Sequence, residues 1–405
     1  MKILHTSDWH IGRTLNEKSL LEDQEALLTQ LLAWLDRERP DILLVAGDIY
    51  DRSVPSKEAL GLVDTVLSEI ILRLGIPVLL IGGNHDGRER LAMNGGILEK
   101  QGLHIAGNYL PGQEPVTLSD EWGEVCFWTV PFIKPVEYRS LMKLEKTMGY
   151  DEMYREITAE ITGRMDTSKR NVMVSHGLIL GNMADIQTID DSVRPIEIGG
   201  IEYACAETFE AFDYVALGHL HRPQKVLWDK VRYSGSLLKY SFSEWNQKKS
   251  VTLVELGEKG TLNLEPASFK PLRDLRVIHG RLEELTALEA YETEGREDYL
   301  KVILEDQERL VNPMDKLRRV YPNVLEMAYE KREKTEAQKS SRRIKERIQD
   351  PLKLFEDFYT FVNGEAMQAD EQAVITELLE TTMEEERCNC SVLLYCRLEI
   401  GRAHV

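Results

Sequence analysis

Five times in the first 221 residues, a short apolar run breaks off into a compact polar cluster. The clusters are Asp8-Trp9-His10, Gly47-Asp48-Ile49-Tyr50-Asp51, Gly83-Asn84-His85-Asp86, Ser175-His176-Gly177 and Gly218-His219-Leu220-His221. The runs ahead of the first three, at residues 2–4, 41–46 and 77–81, are strand-like, and between them residues 17–38 and 55–74 carry apolar side chains at helical spacing, for example Leu27, Leu28, Leu31, Leu32 and Leu35. That is a βαβαβ plan. Further strands read at 125–130, 171–174 and 213–217, followed by hairpin-like segments around 231–233 and 251–256. Loops at strand C-termini are where α/β folds place their sites, and the polar clusters sit there each time.

After about Pro271 the pattern changes. Residues 275–278, 299–304 and 324–329 read as strands separated by helical stretches near 282–290 and 313–320, which makes a small α+β domain at 271–335. The run from Lys331 to Arg347 is densely charged, so 336–350 is expected to be a linker. Beyond Pro351 two amphipathic helices are expected within 351–385, one with Leu352, Phe355, Phe358, Tyr359 and Val362 on one side, the other with Val374, Ile375, Leu378 and Leu379. The last seven residues are what one frame of a common sequencing adapter encodes, and the expectation is that the authentic C-terminus is lost within a tail at 386–405. The Cys388, Cys390, Cys396 and His404 group in that tail is therefore set aside as a zinc site.

Composition limits the function classes. At 405 residues, with 42% hydrophobic and 29% charged residues, the chain is long enough for two or three folded domains. No apolar stretch approaches the roughly 18 residues of a membrane span, and the N-terminus reaches Asp8 too soon for a signal peptide, so the expected location is cytoplasmic without membrane attachment. Five cysteines, widely separated except for the late group, are expected to be reduced. A net charge of −19 argues against a broad basic surface for nucleic acid. Bound divalent cations reverse that sign locally, and a basic partner does so elsewhere.

One Gly-Asp is usually a turn, and one histidine is usually a hydrogen-bonded structural residue. The set is different. Two divalent ions about 3.5–4 Å apart need a bridging carboxylate and several imidazole or amide ligands from different strands. In Asp-x-His and His-x-His, alternate residues leaving a strand project to one side, so two ligands can face one metal pair.

These residues resemble the calcineurin-like metallophosphoesterases, whose signature is Asp-x-His, Gly-Asp-x-x-Asp, Gly-Asn-His-Asp/Glu, a histidine and Gly-His-x-His. The segments 4–12, 45–51 and 216–221 are most similar to the bacterial nuclease branch, the counterpart of the Mre-type nucleases, and the likeness in architecture runs from residue 1 to about 385. The resemblance implies an α/β fold: a metallophosphoesterase sandwich as nuclease domain at 1–270, the α+β domain at 271–335 as a cap, and C-terminal helices that bind a partner. It gives one metal to Asp8, His10, Asp48 and His221 and the other to Asp48, Asn84, His176 and His219, with Asp48 bridging. Such a shell suits manganese, iron or zinc better than magnesium, and the resemblance implies manganese. His85 matches the family's catalytic histidine, which assists the phosphate and the departing oxygen.

Arg52 stands where archaeal relatives often have a second active-site histidine. With Arg13, Arg88 and Arg90 it can bring guanidinium groups to a DNA phosphate, although surface charge is the ordinary reading of any one arginine. His5, His104 and His279 fall outside the motifs and read as structural. The implied activity is a manganese-dependent DNA nuclease, a duplex 3′→5′ exonuclease and single-strand or hairpin endonuclease acting in DNA repair, recombination and replication. The implied assembly is a homodimer within a heterotetramer with the SbcC ATPase, and this chain has no phosphate-binding Gly-x4-Gly-Lys-Ser/Thr loop of its own. The enzyme alternative is another calcineurin-like phosphodiesterase or phosphatase, against which the extension after His221 argues. A metal-free scaffold would have lost ligands, and none is missing.

Overall fold

The computed structural model describes residues 1–181, 203–287, 294–306, 308 and 310–330, and beyond them Tyr359, Met367, Gln372 and 374–376. The linker expected at 336–350, the tail at 386–405 and nearly all of the helix pair at 351–385 lie outside the described residues. Met1–Tyr329 form one compact unit, and Glu330–Val405 separate from it as a second.

Two six-stranded sheets dominate the first unit. One runs in the order Leu262–Ala267, Val251–Leu256, Lys2–Thr6, Ile42–Val45, Val78–Ile81, Leu103–Ala106. The other runs Gln224–Val226, Trp228–Tyr233, Tyr214–Gly218, Arg170–His176, Gly123–Val130, Val116–Asp120. The strands that lead into the polar clusters pair in parallel: Lys2–Thr6 with Ile42–Val45, Ile42–Val45 with Val78–Ile81, and Arg170–His176 with Tyr214–Gly218. Parallel pairing sends their C-terminal loops to the same edge of each sheet.

Side-chain alternation explains why these strands are apolar throughout. Ile3, Ile42, Leu44, Leu79 and Ile81 pack against Val125, Phe127, Val172, Val174 and Ala216 of the other sheet. Their neighbours Leu4, Leu43, Val45, Val78 and Leu80 point the other way, onto Leu27, Leu31 and Leu35 of helix Leu21–Glu38 and Val63 and Val66 of helix Lys57–Ser68. Behind the second sheet, Met173, Val215 and Leu217 pack against Met153, Tyr154, Ile157 and Ile161 of helix Tyr150–Arg164. The result is a four-layer helix–sheet–sheet–helix sandwich, in which each such buried side chain contributes about 1.5–3 kcal/mol. His5 lies in the seam, its Nδ1 2.9 Å from the Tyr214 hydroxyl and its Nε2 3.2 Å from the Leu217 carbonyl. Burial pulls its pKa down to about 3, so it ties the sheets together as a neutral ring.

A third sheet of three parallel strands, Leu275–Gly280, Tyr299–Leu304 and Val324–Tyr329, has its own small core of Leu282, Leu300, Val302, Leu304, Leu317 and Val320. Buried Asp23 accepts from the Tyr299 hydroxyl at 2.7 Å and from Arg273 Nη1 at 3.0 Å, which anchors this sheet to helix Leu21–Glu38.

Two expected helices differ at their ends. Residues Thr14–Leu15 and Lys18–Ser19 form a small hairpin, turned by Asn16 and Glu17 at φ 46° and 69°, so the helix expected from residue 17 begins at Leu21. The segment expected at 55–74 is capped by Ser56, whose hydroxyl accepts from the Ala59 N–H, and it widens into a π-helical turn over Glu69–Arg73.

Candidate metal centre

The five clusters meet where the C-terminal edges of the two sheets come together. Asp8, His10 and Asp48 adopt φ of 52°, 45° and 52°, and His219 adopts 111°. Such backbone costs about 1–3 kcal/mol per residue and persists only where the surroundings enforce it. Here a ladder of hydrogen bonds joins the first two loops: Asp8 N–H to Gly47 O at 3.0 Å, His10 N–H to Asp48 O at 2.9 Å, and Ile11 N–H to Ile49 O at 2.9 Å. Glycine permits the close approach. A Cβ on Gly47, whose φ is +89°, would fall 2.3 Å from His176 Nδ1, and one on Gly83 would fall 2.1 Å from Asp48 Oδ1.

Most of the ring tautomers follow from the hydrogen bonds. His176 Nδ1 lies 2.8 Å from the Ala46 carbonyl, which can only accept, so that nitrogen carries the proton and Nε2 presents a lone pair. By the same argument His85 Nδ1, 2.9 Å from the Asp51 carbonyl, is the protonated nitrogen of that ring. His221 Nδ1 lies 3.0 Å from Glu244 Oε1, which again leaves Nε2 unprotonated. The free nitrogens converge. Asp48 Oδ2 sits 3.6 Å from His10 Nε2 and 3.5 Å from His176 Nε2. Around the first of these, His10 Nε2 and His221 Nε2 face each other at 3.1 Å with Asp8 alongside. Around the second, Asn84 Oδ1 lies 3.0 Å from His176 Nε2 and 3.1 Å from His219 Nδ1.

This donor set fits a pair of divalent cations. Two fully buried carboxylates, Asp8 and Asp48, share the site with imidazoles whose lone pairs point at one another, an arrangement that an intervening positive charge relieves. His10 Nδ1 is buried with no hydrogen-bond partner, so this ring is held by what meets its other nitrogen. Burial alone would raise Asp48, yet the imidazoles of His176, His10 and His85 hold its carboxyl well below the usual range. Burial lowers His219 to about 3, keeping it a neutral donor.

All seven proposed ligands and His85 therefore come together. The His85 N–H donates to Asp48 Oδ1 at 2.8 Å, and its ring stands edge-on to His10 with centroids 4.7 Å apart. The four arginines divide. Arg13 is paired with Asp51 at 2.7 Å and Arg88 with Glu137 at 2.8 Å, whereas Arg52 and Arg90 are exposed. His104 lies 3.7 Å from the Glu99 carboxylate and His279 is exposed on the third sheet, both away from the site.

The supports went unread in the sequence. The Asp86 carboxylate accepts from the N–H groups of Ile49, Tyr50 and Gly83 at 3.2, 2.9 and 2.9 Å, locking two clusters together. Its place in Gly-Asn-His-Asp was the signal for it. Gln24 donates to the carbonyls of Trp9 and His10 and accepts from the Gly12 N–H. Glu244 and Lys249 hold His221 from the far side, and no spacing rule marks either.

Residues 1–223 match the calcineurin-like phosphoesterase family, and residues 271–363 match the type 5 capsule protein repressor C-terminal domain. The SbcD subunit of the nuclease SbcCD from Staphylococcus epidermidis is 34% identical over 386 residues, covering 95% of this chain and 100% of that protein. Among solved structures, a dimetal phosphatase from Danio rerio aligns over 66% of this chain and 96% of its own, at 12% identity and a TM-score of 0.39. The family match over more than half the chain and the relative matched from end to end meet on one arrangement of buried donors: the chain belongs to the SbcD nuclease subunits of the calcineurin-like phosphoesterases and is a metal-dependent phosphodiester hydrolase.

Proposed function

We propose that the chain is a manganese-dependent DNA nuclease, degrading duplex ends 3′→5′ and cutting single strands and hairpins, with Asp8, His10, Asp48 and His221 holding one ion and Asp48, Asn84, His176 and His219 the other. The observation that carries this reading is the position of Asp48 Oδ2, nearly equidistant from His10 Nε2 and His176 Nε2 at the junction of two sets of free lone pairs. Bound there, two divalent ions supply Lewis acidity toward phosphate oxygens and lower the pKa of water. The chain's own groups do the rest. Asp48 serves both positions, and its Oδ1 is steadied by the His85 N–H. His85, with Nδ1–H committed to Asp51, has Nε2 as its exchangeable position, from which it hydrogen-bonds the phosphate and gives a proton to the departing oxygen. Arg52 and Arg90, whose guanidinium groups are exposed, are the arginines placed to meet a DNA phosphate.

In this reading residues 271–335 cap the nuclease domain, residues 351–385 dock on SbcC, and the chain works in the cytoplasm as a homodimer within a heterotetramer. The absence of a phosphate-binding loop supports an ATPase partner. Among the described residues no helix is long and apolar enough to cross a membrane. The test is full-length protein on end-labelled linear duplex and hairpin DNA with added manganese, alone and with SbcC. Shortening from the 3′ end and opening of the hairpin are expected. Hydrolysis confined to small phosphodiesters would sink the DNA assignment.

A further inference from the structure

Glu244 closes a one-turn helix, Phe242–Glu244, that Ser241 caps through its hydroxyl. Its carboxylate is wholly buried. Burying a carboxylate costs several kcal/mol unless charged partners and hydrogen bonds satisfy both oxygens. Here each oxygen has one: Oε1 accepts from His221 Nδ1 at 3.0 Å, and Oε2 accepts from Lys249 Nζ at 2.7 Å. The ammonium is committed in turn, donating also to the His221 carbonyl at 2.8 Å, Ser236 Oγ at 3.0 Å and Gln247 Oε1 at 2.7 Å. Lys249 and Glu244 thus grip the same histidine at its backbone and at its ring. The far side of that ring presents Nε2 to His10 Nε2 at 3.1 Å.

We propose that Glu244, held in place by Lys249, is a positioning residue of the metal centre: its carboxylate fixes His221 in the Nδ1–H tautomer and aims the Nε2 lone pair at the ion shared with Asp8, His10 and Asp48. The inference rests on the reading of His221 as a ligand. A histidine whose outer N–H is given to a carboxylate is oriented and more basic at its ligating nitrogen, and losing such a partner typically costs 10–100-fold in metal affinity. Two alternatives are weaker. The pair could serve packing alone, but a packing role does not require a carboxylate oxygen on the ring nitrogen. It could instead belong to the cavity of about 460 Å³ beside Trp245 and Arg273, yet its bonds are made to His221.

The experiment is manganese titration of the full-length protein by calorimetry, comparing wild type, Glu244→Gln and His221→Ala, with thermal melts of each metal-free protein. Glu244→Gln keeps the volume but sets an amide between two donors. Its expected effect is a 10–100-fold weaker affinity for one of two manganese equivalents, the other unchanged, with His221→Ala losing that same equivalent. Wild-type affinity in Glu244→Gln while His221→Ala loses an equivalent overturns the inference alone. Two undisturbed equivalents in His221→Ala overturn the ligand assignment beneath it. Should Glu244→Gln fail to fold, nitrogen-15 histidine spectra of the metal-free wild type decide: a proton fixed on His221 Nδ1 supports the inference, and a proton on Nε2 or a mixture overturns it.

Discussion

The two sheets bring unequal halves to the site. Loops from the first supply both carboxylates, the amide, His10 and His85, whereas loops from the second supply imidazoles alone, His176, His219 and His221. The first half carries three of the four strained ligand residues, Asp8, His10 and Asp48, and is held by backbone bonds between adjacent loops and by Asp86. The second half has its rings set one at a time, His176 by the Ala46 carbonyl and His221 by Glu244. Negative charge is therefore fixed in a rigid frame. Neutral donors close over it from a separate sheet, so loss of a ligand should matter more on the first side than on the second.

The largest effect is expected from Asp48→Ala, because only that carboxylate reaches toward both clusters of lone pairs. Manganese content should fall from about two ions per chain to less than one, and cleavage should be abolished. His10→Ala should still retain about one ion. Elemental analysis of both variants checks this, and two equivalents of manganese retained by Asp48→Ala would dissolve the distinction between the halves.

His85 tests whether the first half holds chemistry as well as metal. His85→Asn keeps a polar side chain in the loop but cannot deliver a proton, so both ions and DNA binding should survive while turnover falls by about 10²–10⁴. The competing role, bracing Asp51 and the Asp48 loop, predicts weak activity that excess manganese restores. Metal content and turnover measured on one preparation separate the two. Full activity with normal metal would remove His85 from the mechanism.

The same asymmetry explains what could be read in advance. Asp8, His10, Asp48, Asn84 and His85 sit in contiguous blocks because a tight strand-end loop must supply its glycine, its strained residue and its ligand within a few positions. The third sheet was readable because three apolar stretches at 275–278, 299–304 and 324–329 are separated by polar, helical intervals. Glu244 meets His221 across 23 residues and Gln24 meets His10 across 14, and no periodicity links such pairs. The hairpin at Thr14–Ser19 was read as helix because its turn, Asn16-Glu17, lacks the glycine that usually marks one. Helix Tyr150–Arg164 has Met153, Tyr154, Ile157 and Ile161 at helical spacing and could have been read, yet its low hydrophobicity hid it.

The smallest expected effect on the metal centre comes from Gln24, which holds the first half without touching a ligand side chain. It is buried, donates to the Trp9 and His10 carbonyls at 3.2 and 2.8 Å, and accepts from the Gly12 N–H at 3.0 Å. Gln24→Leu preserves the volume and strands those groups, at a cost of about 1–3 kcal/mol in folding free energy. The bonds from Asp8 and His10 to Gly47 and Asp48 remain, so Asp8 and His10 keep their positions relative to Asp48. Manganese affinity should stay within about threefold of wild type, whereas Glu244→Gln should weaken it by about 10–100-fold. Urea unfolding of metal-free protein and manganese titration of the same sample measure both quantities. A Gln24→Leu protein of unchanged stability that binds manganese tenfold more weakly would show that the first half, too, is set by side chains rather than by its backbone frame.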